Sequence, residues 1–266
     1  MSKDVKVLVL RTAGTNCDRE TAFAFSSFGA KAECLHINKL IMKKARLDDY
    51  HIIAIPGGFT YGDDIESGRI LANEISLQLK EQVNKFVRDG KLIIGICNGF
   101  QVLVKAGLLP GGKNGSAFYE GGQTATLTNN DSGKFEDRWV HLQVEGKGPW
   151  LKGMGKIVYF PVAHAEGKFI PKDDSVLSDL KKNGQIAFRY CSKEGSKPVY
   201  PENPNGSVED IAGITDFSGR ILGLMPHPER HFLPEQHPFW TRIKHDEGDG
   251  VKIFSNGVNY VKKNLL

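Results

Sequence analysis

A thiol between two glycines, in residues 95–99 (Gly-Ile-Cys-Asn-Gly), is the strongest chemical signal in this sequence. The apolar run at 91–96 predicts a buried parallel strand, and residues 98–106 predict a helix that stops at Gly107. Small neighbours let a strained residue present its side chain above a sheet, as in the G-x-S-x-G turn of hydrolases. A helix N-terminus also favours the reactive thiolate. We therefore predict that Cys97 is a nucleophile rather than a buried, inert residue at a strand end.

A cysteine nucleophile needs a base for its proton and an acid for the leaving group. Histidine oriented by a carboxylate performs both roles near pH 7. Two His-x-Glu triplets could supply this pair. His227 and Glu229 follow an apolar run at 220–225, and prolines on either side of His227 stiffen the turn that would hold the imidazole. His164 and Glu166 follow a similar apolar run, so spacing alone leaves both pairs open, although the prolines favour the first.

Attack on an amide also requires hydrogen-bond donors for the developing oxyanion, ideally backbone N–H groups that are already fixed. Residues 56–58 (Pro-Gly-Gly) end the apolar run at 51–55 and predict a turn that can aim such an N–H group at Cys97. The residue after the thiol, Asn98, would supply the other donor. A turn with no chemical role is the alternative interpretation of the Pro-Gly-Gly segment.

Composition argues against several other classes of protein. The chain has 266 residues, 25% of them charged and 40% hydrophobic, which is typical of a globular protein long enough to bury a full core. A formal charge of +4, with no Lys/Arg cluster among aromatic residues, argues against a nucleic-acid surface. Neither common phosphate-binding glycine motif occurs, which argues against an ATP site in this chain.

Four cysteines lie far apart and form no C-x-x-C pair: Cys17, Cys34, Cys97 and Cys191. The sequence therefore predicts neither a disulfide framework nor a metal site. The first residues contain no apolar segment of the kind that a signal peptide or a membrane span requires. We expect a cytoplasmic protein with reduced thiols and no bound metal.

Strand and helix signals alternate in the first hundred residues, as expected of a parallel sheet covered by helices. The predicted strands are residues 6–11, 31–37, 51–55 and 91–96, and the predicted helices are residues 17–28, 69–88 and 98–106. Because ligands on open α/β sheets bind at the carboxyl ends of strands, Cys97 lies where chemistry is expected.

From Ser116 onward the signals change to β runs punctuated by glycine. The predicted runs are residues 124–128, 139–144, 156–160, 185–190, 211–215 and 220–225. A hairpin turn at 216–219 and a closing helix within 249–266 complete the pattern. The predicted fold class is therefore α/β, with an open, mostly parallel sheet flanked by helices and additional antiparallel β segments in the second half.

Three segments together resemble the class I, triad-type glutamine amidotransferases: residues 56–58, 95–101 and 226–229. Members of that family hydrolyse glutamine through a glutamyl thioester on cysteine and pass the ammonia to a synthase. Four further segments are similar to the members that serve a synthase of de novo purine biosynthesis: residues 14–20, 58–64, 135–139 and 203–207. The resemblance covers residues 11–230 and implies a flavodoxin-like fold, with residues 1–266 as a single glutamine amidotransferase domain.

The resemblance also implies roles for individual residues. It assigns the nucleophile, the general acid/base and the orienting carboxylate to Cys97, His227 and Glu229. It assigns oxyanion binding to Gly58 and Asn98, and contacts with the glutamine substrate to Gln101 and Gly57.

Partners follow from the same resemblance. A chain without an ATP site cannot activate an acceptor, so a large synthetase subunit would bind ATP and Mg²⁺ and make the C–N bond. A small bridging subunit of the same synthase would complete the complex, and no cofactor is expected in this chain. Because ammonia must travel between active sites without being protonated, we expect a sheltered tunnel and a glutaminase that is nearly silent alone.

Three other functions fit parts of the sequence. A glutaminase that serves guanylate, carbamoyl phosphate or anthranilate synthesis would share the triad, but segments 14–20 and 203–207 argue against it. A cysteine hydrolase or peptidase of the same fold would usually lack the Pro-His-Pro-Glu segment at 226–229. A regulatory subunit that had lost the chemistry would not need an intact triad.

Overall fold

In the computed structural model, which describes residues 4–63, 65–112, 116–119, 121–243 and 246–266, the predicted alternation of strands and helices is present. The strands are β1 (Lys6–Arg11), β2 (Lys31–His36), β3 (Ile52–Ile55), β4 (Leu92–Ile96), β5 (Ala125–Thr128), β6 (Glu136–Val144), β7 (Ile157–His164), β8 (Lys168–Pro171), β9 (Ile186–Cys191), β10 (Ile211–Thr215) and β11 (Ile221–Leu224). The helices are α1 (Asp18–Ser26), α2 (Ile37–Ile41), α3 (Arg69–Gln78), α4 (Lys80–Arg88), α5 (Asn98–Lys105), α6 (Asp174–Lys182) and α7 (Val251–Asn264).

Nine strands form one sheet in the order β2-β1-β3-β4-β11-β10-β9-β6-β7. In this order, neighbouring strands from β2 to β11 are parallel to each other. Neighbouring strands from β11 to β7 are antiparallel. The parallel half has the flavodoxin-like order, in which ligands bind beyond the carboxyl ends of the strands. The fold class predicted from the sequence is confirmed, and the antiparallel segments extend the same sheet, while β5 and β8 pair separately.

The central parallel strands are apolar because helices cover them. Every residue of β3 and β4 is buried, as expected of strands covered on both faces. Helix α5 packs against β3, β4 and β11, and α1 packs against β1 and α7. An edge-to-face contact between Phe25 and Phe254, with ring centroids 5.0 Å apart, joins α1 to α7. The hydrophobic core therefore includes β1, β3, β4 and β11, the strands whose carboxyl ends carry the candidate site.

One sequence prediction about the helices was wrong. Residues 69–88 do not form a single helix, because α3 ends at Gln78 and α4 begins at Lys80. Leu79 between them has φ −114°, outside the helical range, and its side chain is buried. Apolar periodicity continues across such a break, so the pattern alone does not reveal it. The sequence analysis also did not identify α2, α6 or β8.

Two segments discussed above lie partly outside the described residues. Asp64 ends the segment at 58–64, residues 113–115 directly precede the second half that starts at Ser116, and Glu120 lies four residues into it. In the part of the chain that the structure describes, no helix is long and apolar enough to cross a membrane.

Candidate active site

Cys97 occupies the tight bend between β4 and α5. Its φ of 51° and ψ of −108° are unusual for a residue with a side chain, and such strain is common at functional sites. The flanking glycines make the bend possible: a Cβ on Gly99 would lie 1.8 Å from the Ile55 carbonyl oxygen, and one on Gly95 would lie 2.5 Å from the Gly99 oxygen. The predicted elbow is therefore present, with the thiol 5% exposed.

The thiol of Cys97 donates a hydrogen bond to the carbonyl oxygen of Ala163, 3.6 Å away. Ala163 lies near the end of β7, in the antiparallel half of the sheet. The Cys97 backbone N–H donates to the Leu224 carbonyl of β11 at 2.8 Å. Hydrogen bonds to β7 and β11 thus hold the bend in place.

His227 and Glu229 follow β11 and form the expected buried pair. His227 Nδ1 donates to Glu229 Oε1 at 2.7 Å, and both residues are 2% exposed. Burial opposes the charged imidazole, but Glu229 and Cys97 outweigh it and raise the pKa of His227 well above its ordinary value. The other ring nitrogen, Nε2, is buried and makes no hydrogen bond within the described part of the chain. This nitrogen is therefore available for the proton of the thiol.

Gly57 lies where Cys97 and His227 meet. A Cβ on this glycine would lie 2.7 Å from His227 Cε1 and 3.4 Å from Cys97 Cβ. The first distance is too short for any side chain, so glycine is required for the imidazole to stand beside the thiol. The fold therefore places Cys97 and His227, which are distant in the sequence, next to each other. The effect of Cys97 on the pKa of His227 agrees with this proximity.

The two predicted oxyanion donors are free to act. Among the residues that the structure describes, neither the Gly58 nor the Asn98 backbone N–H donates to another group. Gly58 has φ 141°, and a Cβ there would lie 2.7 Å from the Gly14 oxygen, so the turn requires glycine. The loop at 14–16 supports this turn: Phe59 N–H donates to the Gly14 carbonyl at 2.9 Å, and Thr15 pairs with Gly58 as a β-bridge.

Gln101 lies one turn of α5 beyond the thiol and is buried. Its Nε2 donates to the Glu166 carbonyl oxygen at 2.5 Å, and its Oε1 accepts from Asn98 Nδ2 at 3.0 Å. The Asn98 side chain also accepts from the Thr60 backbone N–H at 3.3 Å. Gln101 therefore joins the loop after β3 to the loop after β7, and both of its polar atoms already have partners.

The second His-x-Glu triplet is not a catalytic pair by its geometry. His164 Nδ1 donates to Asn130 Oδ1 at 3.1 Å, and His164 Nε2 accepts from Asn205 Nδ2 at 3.5 Å. Burial and the neighbouring charge of His227 lower the pKa of His164 to about 4, so the ring is neutral. The Glu166 carboxylate instead accepts from the Ser67 backbone N–H. The structure thus separates two alternatives that spacing left open.

Sequence reasoning missed Cys17, which contacts the triad, and Arg230, which contacts Cys17. Cys17 Sγ lies 3.9 Å from His227 Nδ1, and Arg230 Nη2 donates to that sulfur at 3.1 Å. Arg230 directly follows Glu229 in the sequence, and this adjacency was the available signal. Asn205, in the segment at 203–207, was missed as the partner of His164, although the resemblance had already singled out that segment.

Cys17, His227 and Glu229 present one donor atom each within 4.8 Å of one another, a spacing that could hold a metal ion. The chemistry of the site opposes this. His227 Nδ1 is already bonded to Glu229, and the Arg230 guanidinium directed at Cys17 disfavours a second cation. The arrangement instead suits a proton transfer between sulfur and imidazole.

The thiol elbow, the His-Glu pair and the two free amides at neighbouring strand ends are the groups that hydrolysis of an amide by a cysteine requires. The chain belongs to the CobB/CobQ-like glutamine amidotransferase family, whose domain model matches residues 4–261.

Individual members of this family that are similar to the chain over nearly its whole length belong to one enzyme, phosphoribosylformylglycinamidine synthase. The chain is 48% identical to the phosphoribosylformylglycinamidine synthase subunit PurQ of Dehalococcoides mccartyi, over 99% of this chain and 100% of that protein. It is 43% identical to the PurQ subunit of Methanococcus maripaludis, over 97% of this chain and 98% of that protein. A solved structure of PurLQS from Thermotoga maritima contains a chain that is 32% identical, with a TM-score of 0.72, and covers 97% of this chain and 100% of that one.

Proposed function

We propose that this chain is the glutaminase subunit of phosphoribosylformylglycinamidine synthase, an amide hydrolase that works as part of a C–N ligase in de novo purine biosynthesis. The relatives over nearly the whole chain support the assignment. The observation that carries the chemistry is the buried His227–Glu229 pair, whose free Nε2 stands beside the strained Cys97.

In the first half of the reaction, Cys97 loses its proton to His227 Nε2 and the sulfur attacks the side-chain amide carbon of glutamine. The carbonyl oxygen becomes an oxyanion and accepts from the Gly58 and Asn98 N–H groups. His227 then protonates the leaving nitrogen, the C–N bond breaks, and ammonia departs. Glu229 holds the imidazole in the correct orientation throughout.

In the second half, a water molecule attacks the glutamyl thioester. His227 accepts a proton from this water and returns it to the sulfur as the C–S bond breaks, which releases glutamate and restores the thiol. The same two amides stabilise the second oxyanion. The balance is glutamine plus water to glutamate plus ammonia.

The ammonia is used by a large synthetase subunit, which converts formylglycinamide ribonucleotide to formylglycinamidine ribonucleotide with ATP and Mg²⁺. A small bridging subunit completes the complex. The PurLQS structure, whose matching chain resembles this one over nearly its full length, supports this composition. We further propose that residues 1–266 are one domain and that the protein is cytoplasmic. The four free cysteines support a reducing location.

Replacing Cys97 tests the function. In the complex reconstituted with both partner subunits, we expect Cys97→Ala to reduce glutamine-dependent product formation by at least about a thousandfold. Product formation from added ammonium salt should survive, because only the internal source of ammonia is removed.

Cys191→Ala is the matched control, because it removes another buried thiol in β9, away from the triad. This control should retain both activities. Continued use of glutamine by Cys97→Ala would contradict the proposal, as would equal loss of both activities in a complex that still assembles.

A further inference from the structure

We propose that Cys17, held by Arg230, is a positioning residue for the imidazole of His227. This role rests on the proposed function, since it concerns the same triad. It assigns a purpose to a buried thiol that takes no part in the reaction steps above.

Hydrogen bonds with Asn16, Gly57 and Arg230 hold Cys17 with its sulfur against the ring. Cys17 Sγ lies 3.9 Å from His227 Nδ1, and the thiol donates to Asn16 Oδ1 at 3.1 Å. Arg230 Nη2 donates to the sulfur at 3.1 Å. The Cys17 backbone N–H also donates to the Gly57 carbonyl at 3.2 Å, so the residue is tied to the turn that borders the imidazole.

The ring needs a second support because its main hydrogen bond holds one point only. Glu229 fixes Nδ1, but a planar ring can still tilt about that bond. The Cys17 sulfur and the ring lie against the same face of Gly57: a Cβ there would lie 2.7 Å from His227 Cε1 and 3.2 Å from Cys17 Sγ. The sulfur, 1% exposed, fills the adjacent space and limits the tilt.

Cys17 must remain a neutral thiol to serve in this way. Burial and the nearby Glu229 carboxylate raise the pKa of Cys17, although His227 and Arg230 partly oppose them. An anionic sulfur would compete with Cys97 for the imidazolium. As a neutral thiol, Cys17 donates its hydrogen to Asn16 Oδ1 and accepts a hydrogen bond from Arg230 Nη2, each 3.1 Å from the sulfur.

Arg230 is anchored at its other side. Its Nε lies 3.5 Å from Glu20 Oε1, at the start of α1. The guanidinium therefore connects the turn that carries His227 and Glu229 to the helix that follows Cys17. Movement of Cys17 away from the ring would break the hydrogen bond from Arg230 to the Cys17 sulfur.

The test is kinetic and uses the reconstituted complex. We expect Cys17→Ala to lower glutamine-dependent kcat about tenfold while KM for glutamine and the ammonia-dependent rate stay unchanged, because misorientation of a catalytic group affects the chemical step. Cys17→Ser keeps a small polar group and should recover most of the rate. Cys191→Ala, which also removes a buried sulfur, should lose stability without losing kcat.

The pH profile supplies a readout that a packing defect would not change. The titratable and charged groups that face His227 come from several elements: Glu229 and Arg230 on its own turn, Cys17 before α1, Cys97 before α5, and His164 at the end of β7. The proton shared by Cys97 and His227 is lost as the pH rises through the raised pKa of His227. Because the contact with Cys17 contributes to this pKa, its removal should move the high-pH loss of activity to lower pH. Cys191→Ala should keep the wild-type profile.

A double variant separates a shared role from two independent ones. If Arg230 acts on the ring through Cys17, then Arg230→Gln and Cys17→Ala together should lower kcat little more than the larger single effect. Multiplicative losses, or a Cys17→Ala enzyme with wild-type kcat and pH profile, would overturn the proposal. Cys97→Ala is measured in parallel: if it still uses glutamine, the proposed function fails, whereas an isolated failure of the Cys17 variants leaves that function intact.

Discussion

The orientation of the Cys97 thiol defines the resting state of the candidate site. Its hydrogen points to the Ala163 carbonyl, while the buried Nε2 of His227 makes no hydrogen bond within the described residues. The imidazole is close enough to Cys97 for that residue to raise the pKa of His227. The Glu229 carboxylate keeps the proton affinity of that imidazole high, because it opposes the lowering of the His227 pKa by burial.

Glu229→Gln keeps the size of the side chain and removes its charge. Cys97 and His227 share the one proton that the reaction moves, and this proton is lost as the pH rises through the raised pKa of His227. Without the carboxylate this pKa falls, so the high-pH loss of glutaminase activity should move to lower pH. We also expect kcat to fall by about 10²-fold to 10⁴-fold, since an orienting carboxylate fixes the tautomer and stabilises the imidazolium.

The measurement is kcat/KM for glutamine against pH in the complex. Glu235→Gln, at an exposed position six residues further along, is the control and should match the wild type. An unchanged pH limb in Glu229→Gln would show that the carboxylate does not set the charge of the ring.

At the scale of the elements, the site depends on how closely α5 approaches β3 and β4. The approach is possible because Gly95 and Gly99 face each other across the elbow and Gly99 lies against the Ile55 carbonyl. A helical glycine normally destabilises its helix by about 1 kcal/mol relative to alanine. Here close packing outweighs helix propensity.

Gly99→Ala should therefore destabilise the protein instead of stabilising it. The added Cβ would lie 1.8 Å from a backbone oxygen, which cannot move without shifting β3. We expect a loss of at least about 2 kcal/mol in the free energy of unfolding, in the upper range for overpacked cores. Urea unfolding with circular dichroism would measure it.

Gly155→Ala is the comparison, because a Cβ there would come no closer than 3.3 Å to its neighbour, the Ile157 oxygen. This variant should cost much less than Gly99→Ala. Equal stability of the Gly99→Ala variant and the wild type would show that α5 can move away from the strand, and the elbow would then not depend on this contact.

At the scale of the whole molecule, two halves of one sheet meet at the thiol. Cys97 follows a strand of the parallel half, whereas Ala163 lies near the end of a strand of the antiparallel half. His164 ends that strand and bonds to Asn130, and Glu166 in the loop after it bonds to Gln101. A partner that shifts the antiparallel half relative to the parallel half would therefore act directly on the thiol.

We expect weak glutaminase activity from the isolated chain and a large increase when the synthetase partner is loaded with its substrates. The physical reason is that the Cys97 thiol donates to the Ala163 carbonyl, so a partner that moved this strand end would release the thiol. Glutamate release and the rate of alkylation of Cys97 by iodoacetamide should rise together. Cys34, a partly buried thiol elsewhere, serves as the internal reference for alkylation. Equal rates with and without the loaded partner would contradict this coupling.

Much of the fold was predictable because its signals are local. The strand at Lys6–Arg11 and the helix that begins at Asn98 follow from apolar runs and glycine positions within ten residues of each element. The break at Leu79 was not predictable, because the residue leaves helical geometry to bury its side chain in a core formed by distant strands.

By itself the sequence determined the elbow at Cys97, the Pro-Gly-Gly turn and the turn at His227 between two prolines, because turn chemistry depends on adjacent residues. Only the tertiary structure decided which histidine stands beside the thiol, and it gave His164 neutral partners instead. It also placed Cys17 next to His227 across 210 positions of sequence. The physical reason is that burial, ring orientation and proton affinity arise from contacts between strand ends, and the order of strands in the sheet sets those contacts.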